Sequence, residues 1–310
     1  MIHALKSVRL MSSSSVKQAV SELSVPVPWG EIRGKVWGPE HGSPVLCLHG
    51  WADNCGTFNT LLPLLPNDRR YVAMDLAGHG CSSHRPPGIL YSFPSYVLDV
   101  RRVVEALRWT KFSIIGHSMG GNVGGMFSAL YPEMVESLVL LDSYGFFPTE
   151  TEMARVLRQG LDEMIEYEKT MEDKKTRVYT YEKAVERLMV GNKSLTEESA
   201  KILLERGLTQ VEGGLMFSRD FRINLKNVVR ISLDQSLELL SKIQASVLVV
   251  LYEHLLLHRF FTHGYIKIFT CNHHVHLNNP ENVAPLLSDF LQTKVLSHSS
   301  QVTDGQNSKL

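Results

Sequence analysis

The chain has 310 residues, 44% of them hydrophobic, and its 32 lysine and arginine residues balance 32 aspartate and glutamate residues. This composition can form a large buried core, and the balanced charge argues against a surface for nucleic acid or anionic membrane. The cysteines lack Cys-x-x-Cys spacing, which favours reduced intracellular thiols over a disulfide framework or a zinc site. Charged and polar residues interrupt the longest apolar run, 245–257, so no transmembrane segment is predicted.

The first predicted segment is an N-terminal extension, residues 1–25, that we expect to be disordered. It is rich in serine and has no acidic residue before Glu22, so a weak organelle presequence is the alternative. Short apolar runs then predict buried strands. These runs occupy residues 42–50, 69–80, 111–118, 135–143, 245–251 and 264–269. Apolar residues at helical spacing predict helices at 91–109, 119–131 and 280–291.

The alternation of strands and helices predicts an α/β fold with a mostly parallel central sheet flanked by helices. We expect its core to comprise residues 26–143 and 244–292. Residues 144–243 show helical periodicity without a buried strand, which predicts a helical cap inserted over the carboxyl ends of the strands. Residues 293–310 are predicted to form a polar tail.

A Gly-x-Ser-x-Gly sequence lies between the strand at 111–118 and the helix that follows. In it, Gly116 and Gly120 flank Ser118. A nucleophile at a sharp strand-to-helix turn has a strained backbone, so its neighbours two positions away must lack a Cβ atom. The helix that follows also presents its positive end to the serine hydroxyl. The pattern therefore predicts Ser118 as a catalytic nucleophile.

A serine hydroxyl is a weak nucleophile at neutral pH and needs a general base and donors for the developing oxyanion. The sequence His49-Gly50-Trp51 closes the strand at 42–50, where a backbone amide can reach the substrate. We assign the oxyanion donors to the backbone N–H groups of Trp51 and Met119.

Chain order selects the general base among 13 histidines. In folds with this turn, the acid follows the nucleophile and a histidine follows the last strand. Three histidines, His273, His274 and His276, occupy that position. No carboxylate accompanies them at ligand spacing, so no metal site is predicted, and no phosphate-binding glycine motif implies a cofactor.

These motifs carry a family resemblance. The runs LCLHGW, AMDLAGHGCSS and GHSMGG resemble the α/β-hydrolase superfamily, and the resemblance covers nearly all of residues 26–292. The runs VPWGEIRGKVWG, IIGHSMGGNVGGMF and GLMFSRDFR are similar to the serine hydrolase-like proteins, a vertebrate branch with a peroxisomal association. In those relatives the catalytic histidine lies seven residues before the proline of the last helix, which from Pro280 implies His273.

The segment after the strand at 245–251 departs from the family pattern. Relatives have an acid-bearing loop and a full helix there, whereas this chain has only residues 252–263, which predicts a shortened crossover. Glu253 occupies the slot of the triad acid. Asp142, at the end of the preceding strand, is the other carboxylate that could orient the histidine. Both remain candidates.

These residues favour a serine hydrolase that cleaves a small acyl ester or thioester through a Ser-His-acid triad and an acyl-enzyme. A serine at the elbow, where epoxide and haloalkane hydrolases need a carboxylate, favours acyl transfer, and carboxylesterase and thioesterase are both open. The alternative is a catalytically weak or inactive binding protein with the same fold, because the short segment 252–263 would misplace His273.

The chain ends with Ser308-Lys309-Leu310, which matches a signal read by the peroxisomal import receptor. We therefore predict that receptor as a partner and the peroxisome as the location. Cytoplasm or cytoplasmic vesicles are the alternative location.

Overall fold

A computed structural model of the chain describes residues 20–146, 148, 152–171, 177–229, 231–251, 264–268 and 272–303. In this part of the chain, a mostly parallel sheet is flanked by helices, so the predicted α/β fold is confirmed. None of the helices found there combines the length and the apolar character needed to cross a membrane.

The described residues form ten strands. They are β1 Val20–Val27, β2 Gly30–Trp37, β3 Ser43–Leu48, β4 Arg69–Met74, β5 Phe112–His117, β6 Val135–Leu141, β7 Leu208–Val211, β8 Gly214–Phe217, β9 Ser246–Leu251 and β10 Gly264–Ile268. The main sheet has the order β1-β2-β4-β3-β5-β6-β9-β10, and β7 and β8 pair as a separate hairpin. All neighbours from β4 to β10 are parallel, so the carboxyl ends of these strands share one edge.

The helices lie between and beyond these strands. They are α1 Phe93–Ala106, α2 Met119–Leu130, α3 Met153–Met171, α4 Tyr181–Gly191, α5 Glu197–Gly207, α6 Leu233–Ser241, α7 Val275–Asn278 and α8 Ala284–Thr303.

The sheet has an apolar cluster on each face because side chains alternate along a strand. In β5, Ile114 joins the cluster formed with α1, α2 and α6. Its neighbour Ile115 joins the opposite cluster, to which α8 contributes Leu287 and Leu291. Both isoleucines are fully buried. The strand that ends at the predicted elbow is thus fixed from both sides.

The predicted N-terminal boundary is wrong. Residues 20–25, assigned to a disordered extension, form most of β1, which pairs with β2 in antiparallel register from Val20 opposite Trp37 to Val27 opposite Gly30. Much of β1 is exposed, so it lacks the apolar run that marks a central strand. Its pairing with β2 and the burial of Val25 in the core cluster stabilise it.

The predicted cap contains α3, α4, α5 and a hairpin, β7–β8, that the helical periodicity did not predict. Its predicted limit at residue 243 is also wrong, because α6 packs on α2 of the core. Leu240 and Ile243 join the core cluster there, and Ser236 Oγ donates to the carbonyl of Phe146 at 2.7 Å.

The cap is joined to the core by a buried ion pair. Arg206 of α5 contacts Asp75, which follows β4, at 2.8 Å. Both side chains are almost fully buried, and Arg206 also binds Glu22 of β1 at 2.8 Å. A buried charge without its partner is costly, so this pair opposes separation of the cap from the sheet.

Helix α8 extends into the predicted polar tail, residues 293–310. Helix α8 continues to Thr303, beyond the expected boundary at residue 293. No glycine or proline occurs between Pro285 and Gly305, so no residue type that breaks helices ends it sooner.

Candidate active site

The predicted elbow forms a sharp turn between β5 and α2. Ser118 has φ 50° and ψ −117°, a backbone conformation that residues with a Cβ atom rarely adopt. Its N–H donates to the carbonyl of Leu141 at 2.9 Å, and its carbonyl accepts the N–H of Gly121 at 2.9 Å. These bonds tie the turn to β6 and to the first turn of α2, which holds the strained residue in place.

The two elbow glycines lie where no side chain fits. A Cβ atom on Gly116 would approach the carbonyl oxygen of Gly120 to 2.6 Å. A Cβ atom on Gly120 would lie 2.1 Å from the carbonyl oxygen of Leu48 and 2.6 Å from that of His49. The elbow therefore packs backbone against backbone beside the end of β3.

The structure brings two of the predicted triad residues together. His273 Nδ1 hydrogen-bonds Asp142 Oδ2, and both side chains are partly exposed. Asp142 follows β6 with φ 45°, and its N–H donates to the carbonyl of Val250 at 2.7 Å. The carboxylate thus belongs to the end of a central strand. The other candidate acid, Glu253, lies outside the described residues.

His273 is also linked to the elbow through its backbone. His117, next to Ser118, donates its Nε2–H to the carbonyl of His273 at 2.9 Å. Within the described residues, no hydrogen bond joins Ser118 Oγ to the His273 ring. Catalytic hydrogen bonds often form only when substrate binds, and the His117 contact places the His273 backbone beside the residue that precedes Ser118.

The predicted oxyanion loop lies against the serine. A Cβ atom on Gly50 would meet the Cβ atom of Ser118 at 3.4 Å. In the described part of the chain, neither the Trp51 N–H nor the Met119 N–H donates a hydrogen bond, so both are available to a substrate. The Trp51 indole N–H donates to the carbonyl of Ile223 at 2.9 Å, which connects this loop to the segment before α6.

A buried polar cluster lies behind the elbow. It comprises Asp53, His117, His274 and His276, each at most 6% exposed. Asp53 Oδ2 lies 3.9 Å from His117 Nδ1 and 3.6 Å from His274 Nε2. The prediction that no carboxylate accompanies the C-terminal histidines is therefore wrong, because the fold supplies Asp53 from a distant loop. Sequence spacing gave no signal for it beyond its closeness to His49-Gly50-Trp51.

Burial keeps several histidines of this region neutral. It lowers the pKa of His117 and of His276, and neighbouring histidines add to the effect. It also lowers the pKa of His49. For His79, burial and the nearby His49 lower the pKa to about 3. The neutral His79 ring donates Nδ1–H to the carbonyl of Ala77 at 3.0 Å.

This burial predicts that stability falls in mild acid. An unfolded histidine binds a proton below its usual pKa of about 6.5, whereas folded His79 stays neutral down to a pKa of about 3. The unfolded state therefore binds more protons as pH falls through 6.5, and the free energy of unfolding decreases. Between pH 7.5 and 5.5, His79 accounts for about 1.4 kcal/mol of this decrease.

Urea unfolding at both pH values measures the effect. His79→Gln should unfold more easily than wild type, and its pH-dependent loss should be smaller by about 1.4 kcal/mol. The control is His41→Gln, because His41 is exposed and should leave the loss unchanged. Equal losses for His79→Gln and wild type would contradict the assignment.

Comparisons with known proteins agree with this fold. The family model of the alpha/beta hydrolase fold matches residues 43–168. The serine hydrolase-like protein of Danio rerio is 55% identical over 326 aligned positions that cover 100% of both chains. A hypothetical protein of Pseudomonas aeruginosa PAO1 superposes with a TM-score of 0.76 at 33% identity, covering 87% of this chain and 99% of that one. A thioesterase domain from the curacin biosynthetic pathway superposes with a TM-score of 0.72 at 25% identity, covering 86% of this chain and 99% of that domain.

The sheet, the elbow and these matches together define the α/β-hydrolase class, and they support a hydrolase. Within that class, the chain belongs to the family of the serine hydrolase-like proteins. The alignment with the Danio rerio relative has 326 positions against 310 residues here, so that relative contains residues without a counterpart in this chain. The shortened crossover at 252–263 stays a prediction, since those residues lie outside the described ones.

Proposed function

We propose that the chain is a serine hydrolase that cleaves small acyl esters or thioesters through an acyl-enzyme. The observation that carries this proposal is the hydrogen bond between His273 and Asp142, beside the strained Ser118 turn. A carboxylate on Nδ1 orients the imidazole and leaves Nε2 for the nucleophile. Asp142 is therefore the triad acid that we favour over Glu253.

In the acylation step, Ser118 Oγ attacks the acyl carbonyl carbon while His273 Nε2 takes the hydroxyl proton. Asp142 stabilises the imidazolium that results, and the carbonyl oxygen becomes an oxyanion. The backbone N–H groups of Trp51 and Met119 stabilise that oxyanion. The imidazolium then protonates the leaving alcohol or thiol, the acyl–heteroatom bond breaks, and an acyl-serine remains.

In the deacylation step, a water molecule replaces the alcohol or thiol. His273 Nε2 takes a proton from this water, whose oxygen attacks the acyl-serine carbonyl. The tetrahedral intermediate collapses, Ser118 Oγ recovers its proton from the imidazolium, and the carboxylic acid leaves. The same oxyanion donors serve both steps.

The proposed substrate class, esters and thioesters, is supported by similarity to a known structure and by the serine elbow. The structural similarity to a thioesterase domain supports a thioester as one substrate type, and the serine elbow supports esters equally. A peroxisomal location is part of the proposal and would favour lipid-derived acyl groups. It rests on Ser308, Lys309 and Leu310 alone, which lie outside the described residues.

A fluorophosphonate probe tests the proposal, because it phosphonylates only a serine that is activated by its base. We expect the wild-type protein to be labelled and both Ser118→Ala and His273→Ala to lose the label. The matched control is His84→Ala, because His84 is partly exposed and contacts the cap, not the elbow. It should be labelled as wild type.

An unlabelled wild type with a cooperative unfolding transition would overturn the proposal. The site would then be a ligand pocket with a misplaced base, which is the binding-protein alternative. Labelling that survives Ser118→Ala would instead place the reactive serine elsewhere in the chain.

A further inference from the structure

Three side-chain atoms in the buried cluster behind the elbow converge on one point. They are Asp53 Oδ2, His117 Nδ1 and His274 Nε2, which all lie within 4.8 Å of one another. Among the described residues, Asp53 Oδ2 and His117 Nδ1 have no hydrogen-bond partner, although both atoms are fully buried. A buried polar atom without a partner is rare and calls for a bound ion, water or proton.

The proton positions exclude hydrogen bonds between these three atoms. The carbonyl of His273 can only accept, so the single ring proton of His117 is on Nε2 and Nδ1 has a free electron pair. The Ser194 hydroxyl donates to Asn192 Oδ1 at 2.8 Å, so it accepts Nδ1–H from His274, also at 2.8 Å. His274 Nε2 therefore also presents an electron pair. The Asn192 amide lies 3.5 Å from that nitrogen, at the long limit of a hydrogen bond.

The spacing of the three atoms fits one metal ion. Zinc binds histidine nitrogen at about 2.0–2.1 Å and carboxylate oxygen at about 2.0–2.2 Å, so two ligands at the tetrahedral angle lie about 3.4 Å apart. Asp53 Oδ2 lies 3.9 Å from His117 Nδ1 and 3.6 Å from His274 Nε2, so small shifts of these side chains would bring them to the separation of ligands on one ion. Two imidazoles and one carboxylate form a ligand set that first-row divalent metals prefer.

The hydrogen bonds of His117 and His274 are those expected of histidines that bind a metal. A ligating histidine donates its other ring N–H to an oxygen atom, which fixes the tautomer that binds. His117 does so to the His273 carbonyl and His274 to the Ser194 hydroxyl. Asp53 also lines a cavity of about 20 Å³ between the core and the cap, which has room for about one water molecule beside this residue.

We propose that Asp53, His117 and His274 bind a divalent transition-metal ion, with zinc as the expected ion. The ion joins the loop after β3, the elbow and the turn before α7, and so stabilises the segments that carry the oxyanion donors and His273. Its role is structural and independent of whether Ser118 reacts. The ion replaces the repulsion of three converging electron pairs with three coordinate bonds.

Metal titration of the full chain tests this inference. The protein is stripped with a chelator, then titrated with zinc against a chromophoric competitor, and cobalt is added separately to give a visible spectrum. We expect one zinc per chain and the cobalt spectrum of nitrogen and oxygen ligands. Loss of outer-shell partners already weakens metal binding about 10–100-fold, so Asp53→Asn and His274→Gln should weaken it at least as much.

Two variants serve as controls. His41→Gln removes an exposed histidine and should bind zinc as wild type does. Ser118→Ala should also bind zinc normally, which separates this inference from the proposed hydrolase activity. Circular dichroism identifies any variant that does not fold. If a ligand variant does not fold, the zinc stoichiometry and the cobalt spectrum of the wild-type protein test the inference without it.

Wild type that binds neither metal would overturn the inference, as would unchanged affinity in folded Asp53→Asn. A thiolate-to-cobalt charge-transfer band would also overturn it, because it would place the metal on a cysteine and not on the proposed nitrogen and oxygen ligands. Zinc should also raise the melting temperature of wild type more than that of either ligand variant.

Discussion

Replacing Asp142 with asparagine is expected to lower kcat for a simple ester such as p-nitrophenyl butyrate by roughly 10³–10⁴-fold. The reason is the tautomer of His273. An asparagine amide that donates to Nδ1 moves the ring proton to Nε2, which can then no longer accept the proton of Ser118. Because substrate binding does not use this carboxylate, KM should change much less than kcat.

The substitution is a fair test because it should preserve the local backbone. Asp142 has φ 45°, and asparagine is among the few residues that tolerate this region. Measuring kcat and KM with a thermal unfolding curve for each variant separates catalysis from folding. Glu136→Gln, a partly exposed carboxylate near the start of the same strand, is the control and should retain wild-type kcat.

The same assay applied to Glu253→Gln resolves the two candidate acids. If Asp142 is the acid, Glu253→Gln should keep wild-type kcat within a few-fold, and the double variant should resemble Asp142→Asn. The reverse result, normal kcat in Asp142→Asn and loss in Glu253→Gln, would assign the acid to the loop after β9. It would also make the His273–Asp142 bond a structural contact.

The acid could not be chosen from the sequence because both candidates follow strands that end at the same edge of the sheet. Chain order admits either one. The structure describes Asp142 in a hydrogen bond with His273, whereas Glu253 lies outside the described residues. The elbow was predictable for the opposite reason. Its glycines, its serine and the strand before it are contiguous, so a local pattern contains the whole feature.

The same contrast holds for the fold. The central strands were predictable because burial on both faces makes them continuous apolar runs. Strand β1 is half exposed and stabilised by pairing with β2, and the β7–β8 hairpin is four residues per strand. Strand β1 mixes polar and apolar residues, and the apolar run of β8 is too short to predict a strand. Asp53 was missed because its partners, His117 and His274, are remote in sequence and only the folded chain brings them together.

Gly120→Ala is expected to destabilise the protein by roughly 3–5 kcal/mol, a large part of the about 5–15 kcal/mol by which native proteins are stable. Two effects of opposite sign compete. Alanine favours a helix over glycine by about 1 kcal/mol, and Gly120 lies in the first turn of α2. However, its Cβ atom would lie 2.1 Å from the Leu48 carbonyl oxygen and 2.4 Å from its carbon. These are backbone atoms of a buried central strand, so they cannot rotate away as a side chain would.

Thermal unfolding measures this effect, and we expect the melting temperature to fall by on the order of 10 °C. The matched control is Gly191→Ala, at the end of α4, where an added Cβ atom meets nothing within 4 Å. There the helix preference acts alone, so the melting temperature should stay constant or rise slightly. If Gly120→Ala and Gly191→Ala had the same melting temperature, the elbow would not pack against β3 as closely as described. The oxyanion loop, which continues from β3 through His49, would then have no fixed position relative to Ser118.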